Sequence, residues 1–113
     1  MKIRDAIAYT DQLKPNSMSE EVKISLLSSL DGRIRVEVMG EAPENIIAYA
    51  RDDDEGVNRE LLVPHPYDNI YLLYLSAMDD FFRLAFSDYA SSVAVFNQAY
   101  NDFAKWWQRT YGR

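Results

Sequence analysis

The chain has 113 residues, no cysteine, one histidine and a formal net charge of −6 at pH 7, with a sequence pI near 4.6. That length suits a single domain (1–113) burying roughly two thirds of its unfolded surface, and the missing thiols exclude disulfides, zinc knuckles and cysteine catalysis. The acidic balance opposes general nucleic-acid binding; no apolar run approaches the ~20 residues that span a bilayer, and the early charges of MKIRD do not suit a signal peptide, so assembly in the cytoplasm is expected.

Ile3, Ala6, Ile7, Thr10 and Leu13 step by three or four and predict a short amphipathic helix over 2–14, stopped by Pro15. Ser17 and Glu20 read as a capping box that opens a second helix, whose buried face is Val22, Leu26, Leu27, Leu30 and Ile34. Residues 33–39, RIRVEVM, alternate apolar and charged side chains as a half-exposed strand would, directly after Gly32. Helix is the favoured state there and strand the alternative.

Residues 40–66 contain three of the four prolines, Gly56 and an acidic run, with no sustained helical period. Within 41–60 seven acids face only Arg51 and Arg59, a net −5. This composition predicts a long loop with one short element near 45–50, its 40–60 portion a mobile acidic arm that orders in an assembly. The stretch that follows, LVPHPYDNIYL, sets the only histidine between two prolines. Pro64 and Pro66 fix two φ angles and hold the segment extended, while Pro66, Tyr67 and Asp68 suit a helix start, with Asp68 capping amides. His65 is then architectural rather than chemical.

Ile70, Leu73, Ala77, Phe81 and Leu84, widened by Tyr74 and Met78, predict the third helix. Ser87 and Asp88 offer a turn and cap, after which Val93, Phe96, Tyr100, Phe103 and Trp107 repeat a 3-4 spacing. The expected architecture is all-α: about four helices, the last two a long antiparallel αα-hairpin, with the long loop between helices two and three.

Little in the sequence points to catalysis. DDDEG lacks the alternating acids and closing glutamate of a calcium loop, so no metal site is expected. Asp79 and Asp80 are adjacent, and neighbouring helical residues diverge by about 100°, which assigns them to a polar face rather than a shared substrate atom. A single His supports no triad, and four scattered glycines build no phosphate loop. No enzyme and no cofactor are expected.

The C-terminal segment 101–113 reverses the chain's charge, with Lys105, Arg109 and Arg113 against Asp102. Trp106 and Trp107 cannot both face one core: Trp107 continues the buried stripe, and Trp106 either packs on another helix or meets a partner. Trp106, Arg109, Tyr111 and Arg113 are the candidate partner-binding residues.

Three stretches, DAIAYTDQLKPNSMSEEVKISLLSSLDGRI, LLVPHPYDNIYLLYLSAMDDF and AVFNQAYNDFAKWWQRTYG, cover most of the chain outside 40–59. Together they resemble small helical proteins of tailed-phage and prophage morphogenesis clusters, of the head–tail connector (adaptor) type. The most specific pieces are Pro64, Pro66-Tyr67-Asp68 with Tyr71 and Tyr74, and Phe96-Asn97 with Ala99-Tyr100, Phe103 and Arg109-Thr110. The resemblance implies a virion neck component: a ring of copies, typically twelvefold, beneath the portal protein, offering a surface to a tail-side neck protein. DNA is then only passing cargo, and no membrane or catalysis is involved. A small helical phage or prophage regulator that binds one protein through its C-terminal aromatics fits the same composition.

Overall fold

The computed structural model describes residues 1–112 and contains four α-helices: α1 (Ile3–Leu13), α2 (Glu20–Glu37), α3 (Ile70–Phe82) and α4 (Phe86–Tyr111). Among the described residues no strand forms, and the single β-bridge pairs Lys2 with Glu60. The all-α expectation holds.

Helix α1 buries Ile3, Ala6 and Thr10, and the Lys14 N–H closes it on the Thr10 carbonyl before Pro15. Helix α2 starts two residues later than the Ser17 capping box predicts. Its N-cap is Ser19, whose Oγ accepts the Val22 N–H at 3.1 Å, because Asn16 Oδ1 first takes the Met18 N–H and turns the linker. The inward face therefore rotates to Lys23, Ile24, Leu27, Leu30, Asp31 and Ile34, leaving Val22 exposed. Residues 33–37 are helical. Ile34 and Val38 point inward at i,i+4, while Arg33 pairs with Glu37 at 2.9 Å on the outer face, so the apparent alternation is a helical stripe flanked by an ion pair.

The connection from α2 to α3 holds two 3₁₀ turns, Pro43–Asn45 and Gly56–Asn58, and no helix over 46–50, where a short element was expected. It is seated on α2. The Tyr49 N–H donates to Ser28 Oγ at 2.9 Å, and Gly32 of α2 lets Ile46 approach to where a Cβ would sit 3.2 Å from its Cγ2. Asp53 organises the acidic stretch by accepting the Gly56 and Ala50 N–H groups and pairing with Arg59, whose guanidinium lies 4.7 Å from the Tyr49 ring centre. Two backbone bonds, Ile3 N–H to Arg59 and Leu61 N–H to Met1, then tie the loop to the N-terminal segment.

The proline-bracketed stretch is a tight turn and not an extended rod: the Tyr67 N–H reaches the Pro64 carbonyl at 2.9 Å around a cis His65-Pro66 bond. Asp68 does not cap α3 with its side chain. Asn69 holds the N-cap position without a side-chain bond, and the Asp68 carboxylate turns toward His65 Nδ1 (3.4 Å) and the Met1 amine (3.9 Å).

Helices α3 and α4 share the largest interface and run antiparallel, with Phe81 against Tyr89, Tyr74 against Phe96 and Tyr67 against Phe103. The turn between them lies at 83–85, ahead of the expected Ser87-Asp88, because Leu84 takes a left-handed φ of 60° that ends α3. Phe81 and Leu84, both expected in the core, are consequently exposed at the turn. On α4 the predicted stripe is met by Phe96, Tyr100 and Phe103, with Val93 and Trp107 half-buried at its ends.

Candidate functional site

Three groups of side chains concentrate the polar and exposed apolar chemistry. At the centre, Asp31 of α2 is buried and accepts hydrogen bonds from Tyr71 Oη (2.6 Å), Tyr49 Oη (2.7 Å) and the Leu62 N–H (3.2 Å), while Tyr71 Oη itself accepts the Val63 N–H (2.9 Å). Burial pushes the Asp31 carboxyl above the usual carboxylate range despite these donors, and burial beside Asp31 raises both tyrosines. The network is closed and internal. It joins α2, α3 and the loop, and sequence spacing could have revealed it, since Asp31 stands between Leu27 and Ile34 on the apolar stripe.

The second group lies near the α3–α4 turn. Asp79 and Asp80, expected on a polar outer face, are both buried. Lys14, at the end of α1, reaches over α3 to bind the Ser76 carbonyl and Asp80, and Arg83 bridges Asp79 (3.1 Å) and Asp80 (2.9 Å). Ser92 of α4 donates to Asp80 at 2.8 Å. Burial alone would raise the Asp80 pKa, but the bonds from Lys14 and Ser92 and the nearby positive charges lower it below the usual range. Asp79 Oδ1 is buried with no hydrogen-bond partner. Around this cluster four large apolar side chains meet solvent: Phe81 is 45 % exposed, Phe82 51 %, Leu84 68 % and Phe86 60 %. A groove walled by Met18, Val22 and Phe82, with Asp79 and Arg83 along it, runs between this tip and the start of α2.

The third group is the C-terminal end of α4. Trp106 is half-buried and stacks on Tyr67 with centroids 5.3 Å apart, so its ring packs within the chain; Trp107 lies 4.4 Å from the exposed Tyr111 ring. Arg109 is exposed, and Arg113 lies outside the described residues. Tyr111 and Arg109 remain the outward members of the predicted partner set. Two bonds hold this helix to the end of α2: Gln108 donates to the Val38 carbonyl (3.1 Å), and Tyr100 Oη to Glu37 (2.8 Å), with burial pushing the Tyr100 hydroxyl up to about 12.

The predicted helix-start residues divide differently. Tyr67 is a packing residue under Trp106, whereas Pro64, Pro66 and His65 are exposed and Asp68 half-buried. The side chain of His65 is 87 % exposed, with Asp68 as its polar neighbour at 3.4 Å.

Fold and site thus define an all-α protein with a long antiparallel hairpin, apolar at its tip and aromatic-basic at the far end. Among the described residues, no three potential metal ligands converge and no helix is long and apolar enough to cross a membrane. No family model, curated protein or solved structure matches the chain.

Proposed function

We propose that the chain is a structural protein of the phage virion, a head–tail connector (adaptor) that forms a ring under the portal protein and joins capsid to tail without catalysis. The observation that carries this reading is the hairpin tip, where Phe81, Phe82, Leu84 and Phe86 stay exposed although a buried core lies beside them. Contiguous exposed apolar side chains mark a surface meant to be covered. The net charge of −6 adds support, because a ring lumen that passes DNA without gripping it should present carboxylates. The sequence resemblance supplies the virion setting.

Electron microscopy of the purified protein mixed with its cognate portal assembly tests the reading. A ring of added density on the portal is expected. Recovery of only free monomer or dimer beside an unchanged portal would instead favour the small helical regulator.

A further inference from the structure

Residues 42–52 lie on α2 with both ends pinned and the middle held by one side chain. At the near end the Glu41 N–H bonds the Arg35 carbonyl at 2.8 Å; at the far end Asp53 pairs with Arg59, whose carbonyl takes the Ile3 N–H. Between them Tyr49 supplies the inward polar ties to α2, its N–H donating to Ser28 Oγ (2.9 Å) and its hydroxyl to Asp31 (2.7 Å). The Arg51–Glu20 pair, at 3.3 Å, is solvent-exposed and correspondingly weak. The segment is otherwise loosely seated. Ile47 is 83 % exposed, and hollows of about 260 Å³ and about 320 Å³ flank Tyr49, the first lined by Ser25, Ser28 and Ser29, the second by Asn45, Ile47 and Arg59.

Asp31 makes this tie depend on charge. It is 1 % exposed, and the groups bonded to it are uncharged donors: Tyr49 and Leu62 from the loop and Tyr71 from α3. The neighbouring cations are engaged elsewhere, Arg35 of α2 with Glu41 (3.1 Å) and Arg59, over the Tyr49 ring, with Asp53 (3.1 Å). An ionised Asp31 is thus a buried charge with no counter-ion in contact. Burial raises its carboxyl by more than the bonds from Tyr71, Tyr49 and Leu62 and the charge of Arg35 lower it.

We infer that residues 42–52 form a strap that lifts from α2 as a unit while the helices stay packed, with Tyr49 as its latch and ionisation of Asp31 as its release. The protonated carboxyl buries no charge and keeps the strap closed. The carboxylate is relieved when Tyr49 leaves and water takes its place, so opening grows as the pH rises. Lifting uncovers the α2 face of Ser25, Ser28, Ser29 and Gly32, on which Ile46 and Tyr49 rest. The inference goes beyond the connector reading and does not depend on it.

Amide hydrogen exchange of the full chain, followed by NMR at pH 4 and pH 7 over a series of low urea concentrations and corrected for intrinsic rates, tests the strap. The Tyr49 amide should exchange through an opening that urea barely changes, whereas those of Leu75 and Phe96, buried on α3 and α4, should follow the steep slope of global unfolding. Protection at Tyr49 should fall severalfold from pH 4 to pH 7 in wild type and stay level in Asp31→Asn. Tyr49→Phe keeps the ring and the Ser28 bond but loses the latch, and should cut protection of the residue 49 amide about tenfold at pH 4. A Tyr49 amide that shares the urea slope of Leu75 and Phe96 would overturn the strap. Equal protection at the two pH values in wild type, or a pH dependence that survives in Asp31→Asn, would overturn the release; the urea slope and the wild-type pH comparison need no variant to fold.

Discussion

Tyr71 Oη donates to Asp31 Oδ1 at 2.6 Å and joins α3 to α2 across 40 residues of chain, deep in the apolar core. Because the same hydroxyl accepts the Val63 N–H and the same carboxylate accepts Leu62 and Tyr49, one buried acid organises the return of the loop to the core. Replacing it by alanine strands a backbone N–H and two hydroxyls. Asp31→Ala should therefore cost about 3 kcal/mol, and Asp31→Asn, which retains an acceptor and lets Tyr49 accept in turn, about 1 kcal/mol. Urea unfolding of both variants checks the order.

The same acid sets a pH dependence of unusual sign. The folded state raises the Asp31 carboxyl above its ordinary 3.8, so the native protein holds this proton more tightly than the unfolded chain. Its contribution to stability is greatest in acid and is lost as pH rises from about 4 through the raised folded value. Asp31→Asn should remove that component. Unfolding free energies of wild type and variant between pH 4 and 7 should therefore converge toward neutrality, with wild type favoured more at the acid end.

Asp80 behaves oppositely. Lys14, Ser92 and Arg83 hold its carboxyl low against the effect of burial, so this stabilisation is present above pH 3.8 and lost as pH falls through the folded value. Lys14→Met retains the aliphatic stem but leaves Arg83 as the one cation beside two buried carboxylates. With the Lys14 side chain partly solvated, the expected loss is about 2 kcal/mol at pH 7, shrinking in acid. Thermal melts of the variant at pH 7 and pH 3 would reveal it.

The contrast between Asp31 and Asp79-Asp80 shows where the sequence is legible. Apolar spacing locates every helix, since Ile3-Ala6-Thr10, Leu27-Leu30-Ile34, Ile70-Ala77 and Phe96-Tyr100-Phe103 fall on the helical period and are buried. It misplaces α3's exposed end because Phe81 and Leu84 continue the apolar period into the turn that the left-handed Leu84 makes. Periodicity also assigns acids to the surface by default. Burial of Asp79 and Asp80 depends on Lys14, 66 residues from Asp80 along the chain, a pairing that no local spacing specifies. The local spacing carries just the i,i+4 and i,i+3 relations of Arg83 to Asp79 and Asp80.

Residues 40–60 combine an acidic composition with specific anchors, and amide exchange should resolve the two. Tyr49 and Gly56 donate their N–H groups to Ser28 and Asp53, so these amides should exchange more slowly than those of exposed Ala48 and Asp52. Uniformly fast exchange throughout the segment in the isolated protein would show instead that the loop orders only on assembly.

Trp106 separates folding from docking. Its indole stacks on Tyr67, lies 6.1 Å from the buried Phe103 ring and meets Tyr111 edge-on at 5.8 Å, so it closes the end of the core over the start of α3. An adjacent aromatic that served only a partner would leave Tyr67 uncovered. Trp106→Ala removes this stack and opens a cavity above Phe103, with an expected loss of about 2 kcal/mol for a half-buried ring. Tyr111, by contrast, is exposed at the helix end, and Tyr111→Ala should change stability by less than about 1 kcal/mol. Chemical denaturation of both variants distinguishes the roles: a Trp106 variant as stable as wild type would return that side chain to the docking surface, and a Tyr111 variant that unfolds would withdraw Tyr111 from it.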